Sequence, residues 1–288
     1  MTFSASGNFT CNVCGAECVR PEEMGRETPS CGQCGSTVRL RGLIALLSQE
    51  LFGAQLALPD FPDLKGLRAF GMSDPPNFAG ALEKKFAYTN TFYHQPPTID
   101  ITRPDEAEFG RYDFIVSSEV LEHVPPPAEA SFANVCRLLQ PNGILLLTVP
   151  YGIGMPHQEH FPELHEYTLA KLGGKTVLVN RRRDGSVEVF EDLCFHGGDG
   201  STLEMRVFNE DSLKATLRAA GFTDIHIGTD NVPEFGVEQA EVWSLPIIAR
   251  KGTFAAPVEP LARQYADSIR QMRALERELA SIRGEYER

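Results

Sequence analysis

Residues 111–124 read RYDFIVSSEVLEHV, a short apolar run that ends in polar and acidic side chains. The run from Tyr112 to Ser117 predicts a buried strand, because short apolar segments bounded by polar residues are typical of parallel sheets. Ligands of such sheets lie beyond the carboxyl ends of the strands, where Ser118 and Glu119 would emerge. Alternatively, Glu119 and Glu122 only stabilise the N-terminus of a following helix.

Predicted strands and helices alternate on both sides of this run. The strands are expected at residues 66–70, 87–92, 98–101, 144–149, 223–228 and 243–249, and the helices at residues 78–86, 128–139 and 209–220. This alternation predicts an α/β fold with a mostly parallel sheet and helices on both faces.

Residues 151–208 interrupt the alternation. Two strand-like runs, 176–180 and 187–190, flank the turn sequence Arg183-Asp184-Gly185, which predicts a hairpin. The segment follows the strand at 144–149 directly. We therefore expect this insertion to cover the ligand cleft.

Three segments together resemble the class I S-adenosylmethionine-dependent methyltransferases. They are residues 111–124, residues 138–150 (LLQPNGILLLTVP) and residues 213–224, which end in AAGFTD. The resemblance covers about residues 61–252 and implies a Rossmann-like domain that uses S-adenosylmethionine. It also implies that Ser118, Glu119 and His123 belong to the cofactor site.

The loop after the first strand departs from the family pattern. Residues 69–76 read AFGMSDPP, so Gly71 remains, an alanine holds the usual acidic position, and two prolines stiffen the turn. The resemblance implies cofactor contacts from Phe70, Gly71 and Ser73.

Three further cofactor residues follow from the resemblance. Asn90 stands where the family has an acid for the ribose hydroxyls, and an amide oxygen can also accept such a hydrogen bond. A role in holding a turn is the alternative for Asn90. Asp100 and Ile101 match the third-strand position near the adenine.

The N-terminus carries two CxxCG sequences, at residues 11–15 and 31–35. Two residues between thiolates let both sulfurs reach one ion, so Cys11, Cys14, Cys31 and Cys34 predict a zinc ribbon. A four-cysteine site has no open coordination position, and the predicted role is therefore structural. A rubredoxin-like iron site is the alternative.

Four of the seven histidines lie in the insertion. An oxygen or nitrogen acceptor needs a base, so His157 and His160 are the candidate catalytic residues, unless they are structural. A metal at His157, His160 and Glu163 is disfavoured because Pro162 breaks the helical spacing of such sites. The glycine-rich segment after His196 predicts close approach to a ligand or a tight turn.

The amino-acid composition limits the classes of binding partner that are expected. The net charge of −12 argues against a large nucleic-acid surface, and the longest apolar run is too short to span a bilayer. The N-terminus lacks signal-peptide features, so a cytoplasmic location is expected. The expected acceptor is a small molecule or glycan, most specifically a sugar hydroxyl. An RNA methyltransferase and a non-catalytic binding module are the alternatives.

The predicted domains are a zinc ribbon at 1–36, a connecting helix at 37–60, the methyltransferase domain at 61–252 and a C-terminal helix at 257–288. The last helix carries apolar residues at 4-3-3-4-3 spacing from Tyr265 to Ile282. This spacing predicts either a short coiled coil, which would make the protein a homo-oligomer, or a helix packed on the body.

Overall fold

The computed structural model describes residues 7–196, 201–252 and 260–286. The glycine segment at 197–200, for which close approach to a ligand is predicted, lies outside the described residues.

From residue 7 onward, the N-terminal part contains a small antiparallel strand pair and a helix. Strands β1 (Asn8–Thr10) and β2 (Glu17–Val19) precede helix α1 (Val38–Phe52). The hydroxyl of Thr37 accepts a hydrogen bond from the backbone N–H of Leu40, and Gly53 ends α1 with a φ of 66°. The sequence predicts a helix over residues 37–52, because apolar residues recur at i, i+3, i+4 and i+7, at Leu40, Leu43, Ile44, Leu47 and Leu51. Helix α1 confirms this prediction.

The main domain begins with alternating strands and helices: β3 (Leu64–Met72), α2 (Pro76–Lys85), β4 (Phe86–Thr91), β5 (Tyr112–Ser118), α3 (Ala128–Leu138) and β6 (Leu139–Thr148). Short 3₁₀ turns lie at Leu58–Asp60, Glu106–Glu108, Leu121–His123 and Pro233–Phe235.

The insertion consists of short strands: β7 (Tyr151–Gly152), β8 (Gln158–Glu159), β9 (Glu166–Leu172), β10 (Lys175–Arg181), β11 (Val187–Phe190), β12 (Phe195–His196), β13 (Thr202–Leu203) and β14 (Arg206–Asn209). Strands β9, β10 and β11 form the predicted hairpin plus one additional antiparallel strand. The chain then continues as α4 (Glu210–Ala219), β15 (Asp224–Ile227), β16 (Ile247–Arg250) and α5 (Pro260–Tyr286).

The central sheet has six strands in the order β15-β16-β6-β5-β3-β4. The pairs β3–β4, β3–β5 and β5–β6 are parallel, whereas β16 is antiparallel to both β6 and β15. The predicted α/β class with a mostly parallel, Rossmann-like sheet is confirmed. Alternate residues of the strands fill two cores, so that Ala69 and Val116 face α1 and α2, and Phe70 and Ile115 face α3 and α4.

The predicted strand at 98–101 is wrong, because only an isolated parallel bridge joins Phe92 and Thr98 there. A parallel neighbour needs a crossover of a dozen or more residues, and the connection here is far shorter. Pro96 and Pro97 also remove two N–H donors from it.

Among the described side chains of helix α5, those that contact the body lie in its first half. Ala266 is buried, Ile269 packs against the core beneath α1, and the Arg273 guanidinium lies 2.9 Å from the Asp60 carboxylate. Leu275, Leu279 and Ile282 are exposed. No helix within the described residues is long and apolar enough to cross a membrane.

Candidate cofactor and acceptor site

The four cysteines of the N-terminal module converge. One sulfur from each of Cys11, Cys14, Cys31 and Cys34 lies within 4.8 Å of the others. The Cys11–Cys34 and Cys14–Cys31 sulfur pairs are 3.7 Å and 3.6 Å apart. Tetrahedral zinc with Zn–S bonds of about 2.3 Å separates its sulfurs by about 3.8 Å, so the cluster fits zinc. Cys18 lies outside the cluster and donates to the Ala16 carbonyl.

This ribbon packs against the main domain at the start of α2. The Asn77 amide at the start of α2 donates to the Cys34 carbonyl at 3.2 Å. Arg41 is fully buried beneath the ribbon and donates to the carbonyls of Ser36 and Gly236. Hydrogen bonds therefore connect the ribbon to α1 and α2, and Arg41 of α1 also reaches Gly236.

The loop after β3 is held by its own side chains. The Asn90 amide accepts from the backbone N–H of Asp74 at 3.0 Å and donates to its carbonyl at 2.9 Å. A Cβ on Gly71 would lie 1.8 Å from both the Asp74 carboxylate and the Tyr88 hydroxyl. Ser73, which precedes Asp74, has a φ of 58° and is exposed. These contacts favour the turn-holding interpretation of Asn90, and a ribose contact stays a prediction.

Asp74, in the same loop, is a buried acid. Its carboxylate accepts a hydrogen bond from the Tyr88 hydroxyl. Burial raises the pKa of Asp74 to about 7, although the bond from Tyr88 and the charge of Arg39 oppose the increase. The sequence pattern that could have indicated this contact is the hydrophobic alternation of β4, which points Tyr88 into the core.

A cavity of about 390 Å³ lies on the α3 face of β3 and β4. Phe70, Thr91, Asp100 and Tyr112 contribute to its wall. The Asp100 carboxylate accepts from the backbone N–H and hydroxyl of Thr102. Ile101 is buried next to it. A volume of this size suits a nucleoside, and Asp100 lies where the resemblance implies the adenine.

The end of β5 carries a charged cluster. The Glu119 carboxylate lies 2.7 Å from the Arg26 guanidinium, and Arg39 donates to the Ser118 hydroxyl. Burial disfavours the charged form of Glu119, but the hydrogen bond and charge of Arg26 outweigh it and lower its pKa. Glu119 has a φ of 57°, a conformation that costs a residue with a side chain about 1–2 kcal/mol. Sequence reasoning missed Arg26 and Arg39, because no local pattern connects them to β5.

The turn after β5 holds Glu122 and His123. The ring nitrogen Nδ1 of His123 donates to the Leu203 carbonyl at 2.9 Å, which ties the turn to the insertion. Burial raises the pKa of Glu122 well above its ordinary range, and the charge of Glu119 adds to the increase. Sequence reasoning gave Glu122 only a role in the helix dipole.

The insertion returns to the same edge of the sheet. Strand β14 pairs with both β7 and β8, and the backbone N–H of Met205 donates to the Glu122 carbonyl at 2.9 Å. His160 lies 3.0 Å from the Glu204 carboxylate, and His157 lies 3.5 Å from that of Glu159. Both histidines are partly exposed. The backbone N–H of His160 donates to the Met205 carbonyl at 2.9 Å, so His160 lies beside the residue that is bonded to Glu122.

Comparison with known proteins defines the class. A family model described as "Methyltransferase domain" matches residues 72–227, which is more than half of the chain. The chain therefore belongs to this family of methyltransferase domains. It is an S-adenosylmethionine-dependent methyltransferase, in agreement with the resemblance of residues 111–124. No curated protein matches the sequence.

Several solved structures are similar in fold. A 1,6-didemethyltoxoflavin N1-methyltransferase of Burkholderia thailandensis is 18% identical, with coverage of 74% of this chain and 78% of that one, at a TM-score of 0.42. A sugar N-methyltransferase from Streptoalloteichus sp. ATCC 53650 is 11% identical, with coverage of 75% and 87%, at a TM-score of 0.42. An amino pentose methyltransferase from Micromonospora echinaspora is 14% identical, with coverage of 75% and 92%, at a TM-score of 0.40.

Proposed function

We propose that this methyltransferase transfers the methyl group of S-adenosylmethionine to a small molecule or glycan, specifically to a sugar hydroxyl. The observation that carries the proposal is the junction of the insertion with the end of β5, where Met205 bonds to Glu122. An acceptor held beneath the insertion would lie next to Glu119. A net charge of −12 favours such an acceptor over RNA.

The cofactor would lie across the carboxyl ends of β3, β4 and β5. Asp100 and Thr91 at the 390 Å³ cavity would receive the adenosine, and Glu119 would face the positively charged end of the cofactor. The cofactor supplies an activated methyl group. The Arg26 guanidinium and the Glu119 carboxylate form an ion pair at 2.7 Å. For Glu119 to contact the cofactor, Arg26 must either move away or bind the carboxylate together with the cofactor.

We propose His157 or His160 as the base that removes the acceptor proton. His157 is the more exposed, and its ring packs against Phe208 with centroids 5.5 Å apart. His160 is bonded to Glu204, which would stabilise a protonated imidazole during the reaction. General-base catalysis of this kind contributes about 10²–10⁴-fold to a rate.

Calorimetric titration with S-adenosylmethionine and S-adenosylhomocysteine tests the cofactor. An assay with radiolabelled cofactor over a panel of nucleotide sugars, glycans and RNA then tests the acceptor. We expect binding of both cofactor forms and transfer to a sugar. Binding without transfer to any member of the panel would favour a non-catalytic module, and transfer to RNA alone would establish the alternative acceptor.

We also propose that the four-cysteine cluster binds one structural zinc ion. The sulfur distances of 3.6 Å and 3.7 Å support it. All four sulfurs would be bound, so the ion would have no open position for a substrate. The cytoplasmic location expected from the sequence, where clustered cysteines favour metal over disulfides, stays a prediction.

The exposed half of α5 supports a second, smaller proposal. Leu275, Leu279 and Ile282 follow one another at heptad-like spacing and are exposed. We propose that two copies of the chain pair through this half of the helix. Light scattering should give a dimer that Leu275→Glu with Leu279→Glu converts to a monomer, and a monomeric parent would end the proposal.

A further inference from the structure

Glu122 is buried in a way that its neighbours in the protein do not explain. Its side chain is fully inaccessible, and neither carboxylate oxygen has a hydrogen-bond partner among the described residues. An unpaired buried carboxylate is costly, so such a group takes up a proton, pairs with a cation or binds a metal. Arg39 bonds to Ser118 and Glu27 instead, so it does not pair with Glu122.

The neighbouring His123 has one ring nitrogen available. A carbonyl oxygen only accepts, so the bond to Leu203 fixes the hydrogen on Nδ1 and leaves the lone pair on Nε2. Nε2 lies 3.5 Å from a Glu122 oxygen. Histidines that bind metals commonly donate their other N–H to a backbone carbonyl in this manner.

The insertion brings a third donor to the same place. The rings of His123 and His196 have centroids 4.8 Å apart. One ligand atom from each of Glu122, His123 and His196 lies within 4.8 Å of the other two. Contraction around an ion with ligand bonds of about 2.0–2.2 Å requires only small side-chain movements.

Glu204 connects this group to a second histidine. One Glu204 oxygen lies 3.0 Å from His196 Nε2 and the other lies 3.0 Å from His160 Nε2. Cys194 also lies within reach of His196 and Glu204, but it is exposed and has no buried, unpaired acid beside it. The Glu122 side of His196 is therefore the better place for an ion.

We propose that Glu122, His123 and His196 bind a divalent first-row transition metal ion, such as Zn²⁺, at the junction of β5 and the insertion. Mixed imidazole and carboxylate donors suit these ions. Glu204 would supply a further carboxylate or orient His196. The site differs from the set His157, His160 and Glu163 considered from the sequence, because tertiary contacts rather than helical spacing assemble it.

Metal content tests the site without cofactor or acceptor, and so independently of the proposed reaction. The full chain would be dialysed against Zn²⁺ and the bound zinc measured. We expect about two ions per chain for the parent and about one for Glu122→Gln or for His196→Ala. The exposed His165, which lies in the same insertion, provides the control: His165→Ala should retain about two ions.

Thermal stability gives a second measurement. A second equivalent of Zn²⁺ should raise the Tm of the parent and of His165→Ala but not that of Glu122→Gln, whose neutral amide preserves the side-chain volume. His196 is partly exposed, so His196→Ala is expected to fold and serves as the second variant. A parent that binds a single ion would overturn the proposal, as would two ions in both variants.

Discussion

The guanidinium of Arg26 lies 2.7 Å from the carboxylate of Glu119, and this pair joins the N-terminal ribbon segment to the end of β5. Arg26 also donates to the Ser244 carbonyl at 2.8 Å. The ribbon segment is thus bonded at the edge of the sheet where the cofactor is expected.

Glu119→Ala should weaken S-adenosylmethionine binding by about tenfold or more, about 1.4 kcal/mol, because a charge-assisted contact is lost. Arg26→Ala breaks the same ion pair, so both variants should lower the Tm by a similar amount. Arg26→Ala should, however, preserve or increase the affinity for the cofactor. Calorimetric titration and melting curves of both variants measure this. Equal affinities in parent and Glu119→Ala would remove Glu119 from the site, and a loss in Arg26→Ala alone would make Arg26 the supporting residue.

Cys31→Ser should remove the ribbon zinc and destabilise the N-terminus, because the binding energy of a structural zinc ion is part of the folding energy. Cys18→Ser is the matched control, since Cys18 is also buried but lies outside the sulfur cluster. Metal analysis and limited proteolysis should separate the two variants. Unchanged zinc content in Cys31→Ser would contradict the assignment.

Asp74→Asn should become more stable relative to the parent as the pH rises. The pKa of Asp74 in the folded protein is about 7, above its ordinary value of 3.8, so its favourable contribution is complete below about pH 4 and lost as the pH rises through 7. The pH-dependent gain in the unfolding free energy of Asp74→Asn relative to the parent should level off above pH 7. It should not exceed about 4 kcal/mol, because each pKa unit corresponds to about 1.4 kcal/mol. Urea unfolding from pH 5 to pH 8 measures it, with Asp211→Asn on the exposed side of α4 as control. A difference that does not change with pH would contradict the buried, neutral acid.

Gly71→Ala should destabilise the domain by about 1–3 kcal/mol, because the new methyl group would overlap the buried Asp74 and Tyr88 side chains. Gly80→Ala in α2 is the control, because its Cβ would meet nothing within 4 Å and alanine favours a helix. The midpoint of chemical denaturation should therefore fall for Gly71→Ala and rise for Gly80→Ala. A neutral Gly71→Ala would show that the loop can move away.

Replacing the true base among His157 and His160 by alanine should lower turnover about 10²–10⁴-fold and leave cofactor binding unchanged. Single-turnover rates with an accepted sugar, together with calorimetry, distinguish the roles. A loss of both rate and cofactor binding would identify a structural or cofactor-facing histidine. Full activity in both variants would exclude both residues as the base.

The secondary structure followed closely from local patterns. The apolar run before Ser118, the apolar stripe of α1 and the pattern that predicted a helix at residues 209–220 depend on residues a few positions apart, and the predicted elements are confirmed. The strand expected at 98–101 was wrong, and the strand expected at 243–249 begins only at Ile247. The residues at 98–101 are compatible with a strand, but the length of the preceding connection, rather than local propensity, prevented pairing.

The chemistry at the end of β5 depends on contacts between distant parts of the chain. The CxxC spacing by itself determined the cysteine cluster, because each pair of ligands is local in sequence. Arg26 meets Glu119 across 93 positions, and His123 meets Leu203 across 80. No periodicity or motif encodes such separations. The class of protein was therefore determined by the sequence, whereas the partner of each charged group was decided by how the ribbon and the insertion pack on the sheet.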